Sequence, residues 1–277
     1  MDTNNKLNYI LAPLGWHYNK PNPFSDAAFN RDWSGLFFLD RDDEQFLNGT
    51  DPNGLYCVRF GRRTRCLENR VADFLRYEYS QGRKTIIGSE YPFDIPRYLQ
   101  HCFCQTPESS TIRETDPRYI VHSTNLQAWQ SIQTDFTLRS PLNLRKNDIP
   151  YSTIGFRELK EPSEYEDHIH FGSMDAWHTE AIVLSQQKGQ ICTEEDTIYT
   201  PGVRIYFDNH KLIQNEIGIR DGLHTIKVRS KLHLSDYMVA AISVDDVDPS
   251  KAVEHWTPRH FFQAANDYFY RQFLRND

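Results

Sequence analysis

Three histidine-bearing stretches and one run of arginines hold the residue types in this chain that suit chemistry. His122-Ser123-Thr124 closes a short β-branched run, Tyr119-Ile120-Val121. An imidazole titrates near neutrality and can donate or accept a proton. At the end of a strand that leads into a helix, it would share the mouth of the sheet with backbone N–H groups that suit an anion. Asp167-His168-Ile169-His170-Phe171-Gly172-Ser173 is the second stretch. As a strand it places His168 and His170 on one face. Two histidines at that spacing would suit a metal pair, but no carboxylate or thiol follows at ligand spacing, so a hydrogen-bonding site or core packing is expected and no metal is assigned. His224 follows Asp221-Gly222-Leu223 and offers a further base. Arg59, Arg62, Arg63, Arg65 and Arg70 make residues 59–70 the most basic place in the chain. They read either as a phosphate or nucleic-acid contact near a helix start, or as a solvated face paired with neighbouring acids.

Strands and helices must position these groups. Residues 35–39 and 56–60 read as strands, and the second leads through Gly61 into a helix with Leu67, Val71, Phe74, Leu75 and Tyr79 on one face. Gln105 to Asp116 is polar and aperiodic, the best linker. Thr124 or Asn125 can cap a helix carrying Leu126, Trp129 and Ile132. Ser140 to Glu166, with Pro141, Pro150 and Pro162, is expected to be a loop with at most one short strand. A helix around Trp177 to Lys188 follows, then strands at 203–207, 223–229 and 237–244. Leu223 and His224 would point to opposite faces of their strand. Thr257-Pro258 opens a last helix with Phe261, Phe262, Ala265, Phe269 and Phe273 along one stripe.

Composition bounds the class. At 277 residues the chain can bury one large core or two modest ones. The net charge of -7 provides no global field for nucleic acid, so such a partner needs a local basic face. No apolar window approaches the ~20 residues of a membrane-spanning helix, and the N-terminus does not read as a secretory signal. Five cysteines without framework spacing fit a reducing, cytoplasmic setting. His101-Cys102-Phe103-Cys104 is tighter than usual zinc spacing and reads as buried thiols. P-loop, GxGxxG and GxSxG patterns are absent from the sequence, which removes the common phosphate-binding and hydrolase explanations.

Six short motifs then occur in one order: Val121-His122-Ser123-Thr124, Trp129-Gln130-Ser131-Ile132, His168-Ile169-His170-Phe171, Glu180-Ala181-Ile182-Val183 to Lys188-Gly189, Val203 to Asp208, and Asp221-Gly222-Leu223. Over residues 117–245 this order resembles the tRNA 2'-phosphotransferase family and, more broadly, the ADP-ribosyltransferase superfamily. There an H-G-T strand end is followed by a W-x-x-I helix, an H-V-H-L strand, a helix ending near K-x-x-G, an apolar strand and an N-G-V strand. The resemblance implies NAD as co-substrate. It gives His122 the adenosine-side ribose, makes Ser123 the replacement for the usual Gly, and has Thr124 support the strand end. His170 takes the place of the group that packs on nicotinamide, with His168, Gly172 and Ser173 beside it. Leu223 falls where protein-modifying relatives carry a catalytic Glu. Two departures favour the superfamily over tRNA repair itself: Glu166-Asp167 stands where the family has a basic residue, and its N-terminal winged-helix module is not recognisable in residues 1–115.

The resulting expectation is an α+β protein. An ART-like split β-sheet domain with flanking helices over residues 117–277 would be preceded by a smaller α+β region, residues 1–110, of unknown fold. The function expected is NAD-dependent ADP-ribosyl transfer to RNA or DNA, a chemistry that also suits a toxin or defence effector. His122, His170 and His224 are the expected catalytic residues, and His122, Ser123, Thr124, His168, His170, Gly172, Ser173 and Leu223 the expected NAD-binding ones. Arg59, Arg62, Arg63 and Arg65 would contact nucleic acid. Two alternatives stand beside this: an RNA 2'-phosphotransferase, and a non-catalytic module that binds NAD, ADP-ribose or a protein partner.

Overall fold

Five strands of the N-terminal half assemble a sheet in the order β1-β5-β2-β4-β3: β1 (Tyr9–Leu11), β2 (Trp33–Phe38), β3 (Phe46–Thr50), β4 (Tyr56–Phe60) and β5 (Lys84–Ser89). The computed structural model describes residues 8–43, 46–107, 110–152, 154, 161–175, 177–248 and 256–274. Strands β1, β5, β2 and β4 run parallel, and β3 pairs antiparallel with β4. Parallel strands covered on both faces must be apolar along their length rather than alternating, and Leu36-Phe37-Phe38 is buried at every position. The crossover from β4 to β5 is made by α1 (Leu67–Ser80), which buries Val71, Phe74 and Leu75 as its spacing predicts, whereas Tyr79 is exposed. A second helix, α2 (Ile95–Gln105), carries His101 to Cys104. Two residues apart on a helix point in nearly opposite directions, so Cys102 is buried and Cys104 exposed. Burial pushes the Cys102 thiol up to about 12, so it stays protonated.

The chain divides into two compact units. The first takes Met1–Glu108, Phe156–Tyr165 and Arg220–Leu223; the second takes Ser109–Gly155, Glu166–Ile219 and His224–Asp277. The later returns of the chain to the first unit have evident chemistry. Arg83 is buried and forks between the carboxylates of Glu78 and Glu164, and the Tyr165 ring meets those of Tyr56 and Tyr77 edge-on at 5.9 and 6.0 Å. Arg70 Nη1 donates to the carbonyls of Gly222 and Leu223, both at 3.0 Å. Gly222 has φ +76°, and a Cβ there would collide with the Arg70 carbonyl and Phe74, so glycine is required.

In the second unit, β6 (Tyr119–Thr124) leads into α3 (Leu126–Asp135), where Asn125 caps the helix by accepting from the Ala128 N–H at 2.8 Å. Then come β7 (Thr137–Arg139), α4 (Pro141–Lys146), a 3-10 turn at Ser163–Asp167, β8 (His168–Ser173), α5 (His178–Lys188), β9 (Val203–Asp208), α6 (Asn209–Gln214), β10 (Gly218–Ile219), β11 (Ile226–Arg229), β12 (Lys231–His233), α7 (Leu234–Tyr237), β13 (Met238–Ile242), α8 (Val244–Val247) and α9 (Pro258–Phe269). The expected loop over 140–166 is therefore partly helical. Ser140 caps α4 and Pro141 fills its first position, a start signal that the abundance of prolines obscured. Residues 153 and 155–160 of that stretch lie outside the described residues. The strand expected at 223–229 also starts later. β11 begins at Ile226, because the Gly222 turn and the Arg70 contacts hold residues 222–223 out of the ladder, and the alternation expected of Leu223 and His224 does not apply.

Six of these strands form one sheet, in the order β10-β11-β8-β6-β9-β13. One face packs Ile120, Phe171, Ile205, Phe207, Ile226 and Val228 against α6 and, through Trp129 and Ile132, α3. The other packs Val121, Tyr206, Ala240 and Ile242 against Val183 and Leu184 of α5 and Phe261, Ala265 and Phe269 of α9. Among the described residues no helix is long and apolar enough to cross a membrane. Gly202, just before β9, lies so close to the end of β6 that a Cβ there would overlap the Thr124 carbonyl. Gly202→Ala should therefore displace Thr124 and cost about 1–3 kcal/mol, lowering Tm by several degrees. An unchanged melting curve would show that this approach is not tight.

Candidate functional site

Strand β8 changes partner in mid-course. Its last two residues pair with β6 (Ile120↔Ser173, Val121↔Gly172), whereas His168 to Phe171 pair with β11. β6 itself continues in register with β9 through Thr124↔Val203. The six-stranded sheet is thus split between β6 and β8, and His122 stands at the first position past the split. Its Nδ1 reaches the His170 carbonyl at 3.1 Å, and its ring lies 5.9 Å from that of Phe171.

This contact fixes the imidazole. A carbonyl only accepts, so Nδ1 must carry the proton, which leaves Nε2 as the acceptor of a neutral ring. Burial lowers the His122 pKa from its ordinary 6.5, and the bond to the His170 carbonyl opposes that shift to a smaller degree. The folded value lies below the unfolded one, so between them the unfolded chain binds more protons and stability rises with pH. Stability should accordingly be lost as the pH falls below about 6.5. Melting at about pH 7.5 and about pH 5.5 checks this: wild type should lose more Tm than His122→Gln, and equal losses would contradict it.

Register separates the other groups by face. Ser123 is opposite Arg204, and Val121 opposite Gly172, on the face covered by α5. A Cβ on Gly172 would meet Thr179 Cγ2 of that helix at 2.8 Å. His168 and His170 share this face as the spacing predicts, opposite Arg229 and Lys227 of β11. His122 alternates to the other face, so the two motif histidines, His122 and His170, do not present their rings to the same side of the sheet. They meet instead through imidazole and carbonyl. The His170 ring lies edge-on to His224 with centroids 4.0 Å apart, and Lys227, its partner in register, is fully buried. Ser173 Oγ accepts from the Asp175 N–H at 3.4 Å. Leu223 is buried in the first unit, where its N–H donates to Asp221 Oδ1 at 2.9 Å. Among the described residues no group of three or more His, Cys, Asp or Glu side chains is placed to hold a metal ion.

Beneath Ser123 lies a polar network that the sequence reading missed. Glu180 and Arg204 form an ion pair at 3.1 Å with both side chains fully buried. Glu180 Oε1 also accepts from Ser123 Oγ at 2.5 Å, and its Oε2 from Tyr199 at 2.9 Å. Arg204 donates to Thr179 Oγ1 and to the Met174 carbonyl, each at 2.8 Å. Burial first and the Glu180 carboxylate second push the Tyr199 hydroxyl upward, so it remains a donor. Two local signals were available. Glu180 precedes Val183 and Leu184 at helical spacing, on the apolar side of α5, and Arg204 interrupts the apolar run of β9. A charge in either setting needs a buried partner.

The basic segment is largely engaged with acids of its own unit. Arg59 pairs with Asp51 at 3.3 Å, Arg62 with Asp40 at 2.7 Å and Arg63 with Asp42 at 2.5 Å. Arg62 also lies 4.3 Å over the Tyr91 ring. Arg65 is exposed, and its carbonyl accepts from Arg70 Nε at 3.1 Å. In the second unit the acids that precede β8 are likewise paired, Glu166 with Arg145 at 2.7 Å and Asp167 with Arg229 at 2.8 Å.

Compared with known proteins, the chain matches no family model, no curated protein and no solved structure.

Proposed function

We propose that the second unit is an ART-like domain that uses NAD to transfer ADP-ribose, with nucleic acid as the acceptor. The observation that carries this reading is His122: a neutral imidazole held by the His170 carbonyl at the split between β6 and β8, with Nε2 as an acceptor. An acceptor there suits a hydroxyl donor such as a ribose, and the six motifs that resemble the superfamily supply the same role for this residue.

Bound NAD would supply an ADP-ribosyl group on a cationic glycosidic bond that breaks with release of neutral nicotinamide, through oxocarbenium-like charge as in glycoside hydrolysis. The residues of the chain position and shield. His122 Nε2 accepts from a ribose hydroxyl, and Ser123 and Thr124 hold the strand end; the His170 ring, in contact with His224, lies on the opposite face of the sheet, so His170 serves this site through its carbonyl. Most of the rate in such a site comes from fixing the acceptor on the correct face of the ribose. By the resemblance alone, Leu223 corresponds to the superfamily's usual Glu position, which favours an acceptor other than a protein side chain.

Nucleic acid as acceptor rests on the resemblance and on residues 59–70, where Arg62 and Arg63 are held only by partly exposed pairs of the kind worth about 0–1 kcal/mol, which a phosphate can displace. Incubation with NAD labelled in its adenosine half and separate pools of RNA, DNA and protein tests it. Label in RNA or DNA is expected, and label in protein alone overturns the acceptor assignment.

One observation favours a second reading. The Glu166 and Asp167 carboxylates, which would repel a 2'-phosphate if bare, are each paired with an arginine. RNA 2'-phosphotransfer predicts that an internal 2'-phosphate is lost from RNA only when NAD is present.

A further inference from the structure

His122 sits on one face of β6 and Ser123 on the other, so whatever fixes Ser123 also fixes the pitch of the strand at His122. At most strand ends this pitch is loose. Here the ladder between β6 and β8 has already ended at Val121, and from His122 onward only the ladder with β9 continues. The further hold on Ser123 is polar and buried. Ser123 Oγ is tied to Glu180 at 2.5 Å and to Thr179 Oγ1 at 3.1 Å, and Arg204, its partner in register, anchors both residues from the strand on the other side. Tyr199 closes the remaining carboxylate oxygen. The hydroxyl is therefore gripped by α5 and β9 together, in surroundings from which water is excluded.

We propose that Glu180 and Ser123 are positioning residues for His122: the Glu180–Arg204 pair holds the Ser123 hydroxyl on one face of β6, and so sets the neighbouring imidazole on the other face against the His170 carbonyl as the Nδ1–H tautomer. Serine replaces the glycine of the resembling motif for this reason. A glycine has no side chain for Glu180 to grip. Ser123 accordingly has a role in this chain that the motif does not supply, and Glu180, which hydrogen-bonds Ser123, acts on the site through it.

The functional weight of this inference rests on His122 as the ribose-binding imidazole. Its test uses no NAD, so a failure here and a failure of the transferase reading are distinguishable. Ring nitrogen spectra of the full chain labelled with ¹⁵N-histidine, with His122 identified by the signals missing in His122→Gln, report the tautomer directly. Wild type should show His122 as a single neutral Nδ1–H form. Ser123→Ala and Glu180→Gln should lose that signature in favour of the Nε2–H form that unconstrained histidines prefer, and Ser123→Thr, which restores a hydroxyl, should recover it. An unchanged His122 signature in Ser123→Ala overturns the proposal even if the variant melts earlier, because the network would then be stabilising only. A wild-type His122 in the Nε2–H form overturns it without any variant.

Discussion

Glu180→Ala is expected to destabilise the protein by about 3–5 kcal/mol, the usual consequence of removing one member of a buried ion pair and leaving the other charge in place. For a unit of this size that corresponds to a fall in Tm of roughly 6–20 °C. The cost arises mostly from what is left behind. Arg204 is fully buried and would lose the Glu180 carboxylate while keeping Thr179 and the Met174 carbonyl, and the Ser123 and Tyr199 hydroxyls would lose that acceptor. A double replacement, Glu180→Leu with Arg204→Met, should recover much of the loss, since an apolar pair of similar volume is often as stable as a buried ion pair. Thermal melts of the three proteins decide it. A single variant that melts like wild type would mean that water reaches the pair.

His122→Ala should weaken NAD binding markedly while leaving the fold largely intact. The residue is half-buried, makes a hydrogen bond to a carbonyl and lies at the edge of the apolar cluster, so the fold loses little when it is truncated. The ligand would lose an acceptor fixed in advance, with its own hydroxyl left without a partner inside the site. That penalty is about 1–3 kcal/mol, roughly a 5- to 150-fold weaker Kd. Calorimetry with NAD measures it, and circular dichroism shows whether the variant is folded. Equal affinity for wild type and a folded His122→Ala would remove His122 from the site. NAD binding by wild type with no nicotinamide release would instead favour the non-catalytic module.

Much of this architecture was legible from side-chain patterning. The run Tyr119 to Val121 gave its strand, the alternation His168-Ile169-His170 put two imidazoles on one face, and Thr257-Pro258 marked the start of the last helix. These are local signals, set by periodicity and capping. What escaped was long-range. Nothing in the order of residues 168–173 says that β8 pairs with β6 at one end and β11 at the other, and that split decides where His122 lies. Nor does local pattern reveal that residues 220–223 return to the first unit, since the contacts of Arg70 with Gly222 and Leu223 span about 150 positions of chain. The placement of His122 and His170 on opposite faces could not be read from the sequence either, because it depends on the register between two strands 48 residues apart. Glu180 and Arg204 stand out locally as charges on apolar elements, but that they partner each other depends on the packing of α5 on β9, which is again long-range.

The most direct test of the central claim is release of nicotinamide from NAD, followed in time with the purified full chain and a mixture of RNA and DNA. Release by wild type that is lost in a folded His122→Ala is the predicted result. No release above the rate without protein, for a wild type whose fold is verified, would contradict the assignment of ADP-ribosyl transfer to this site.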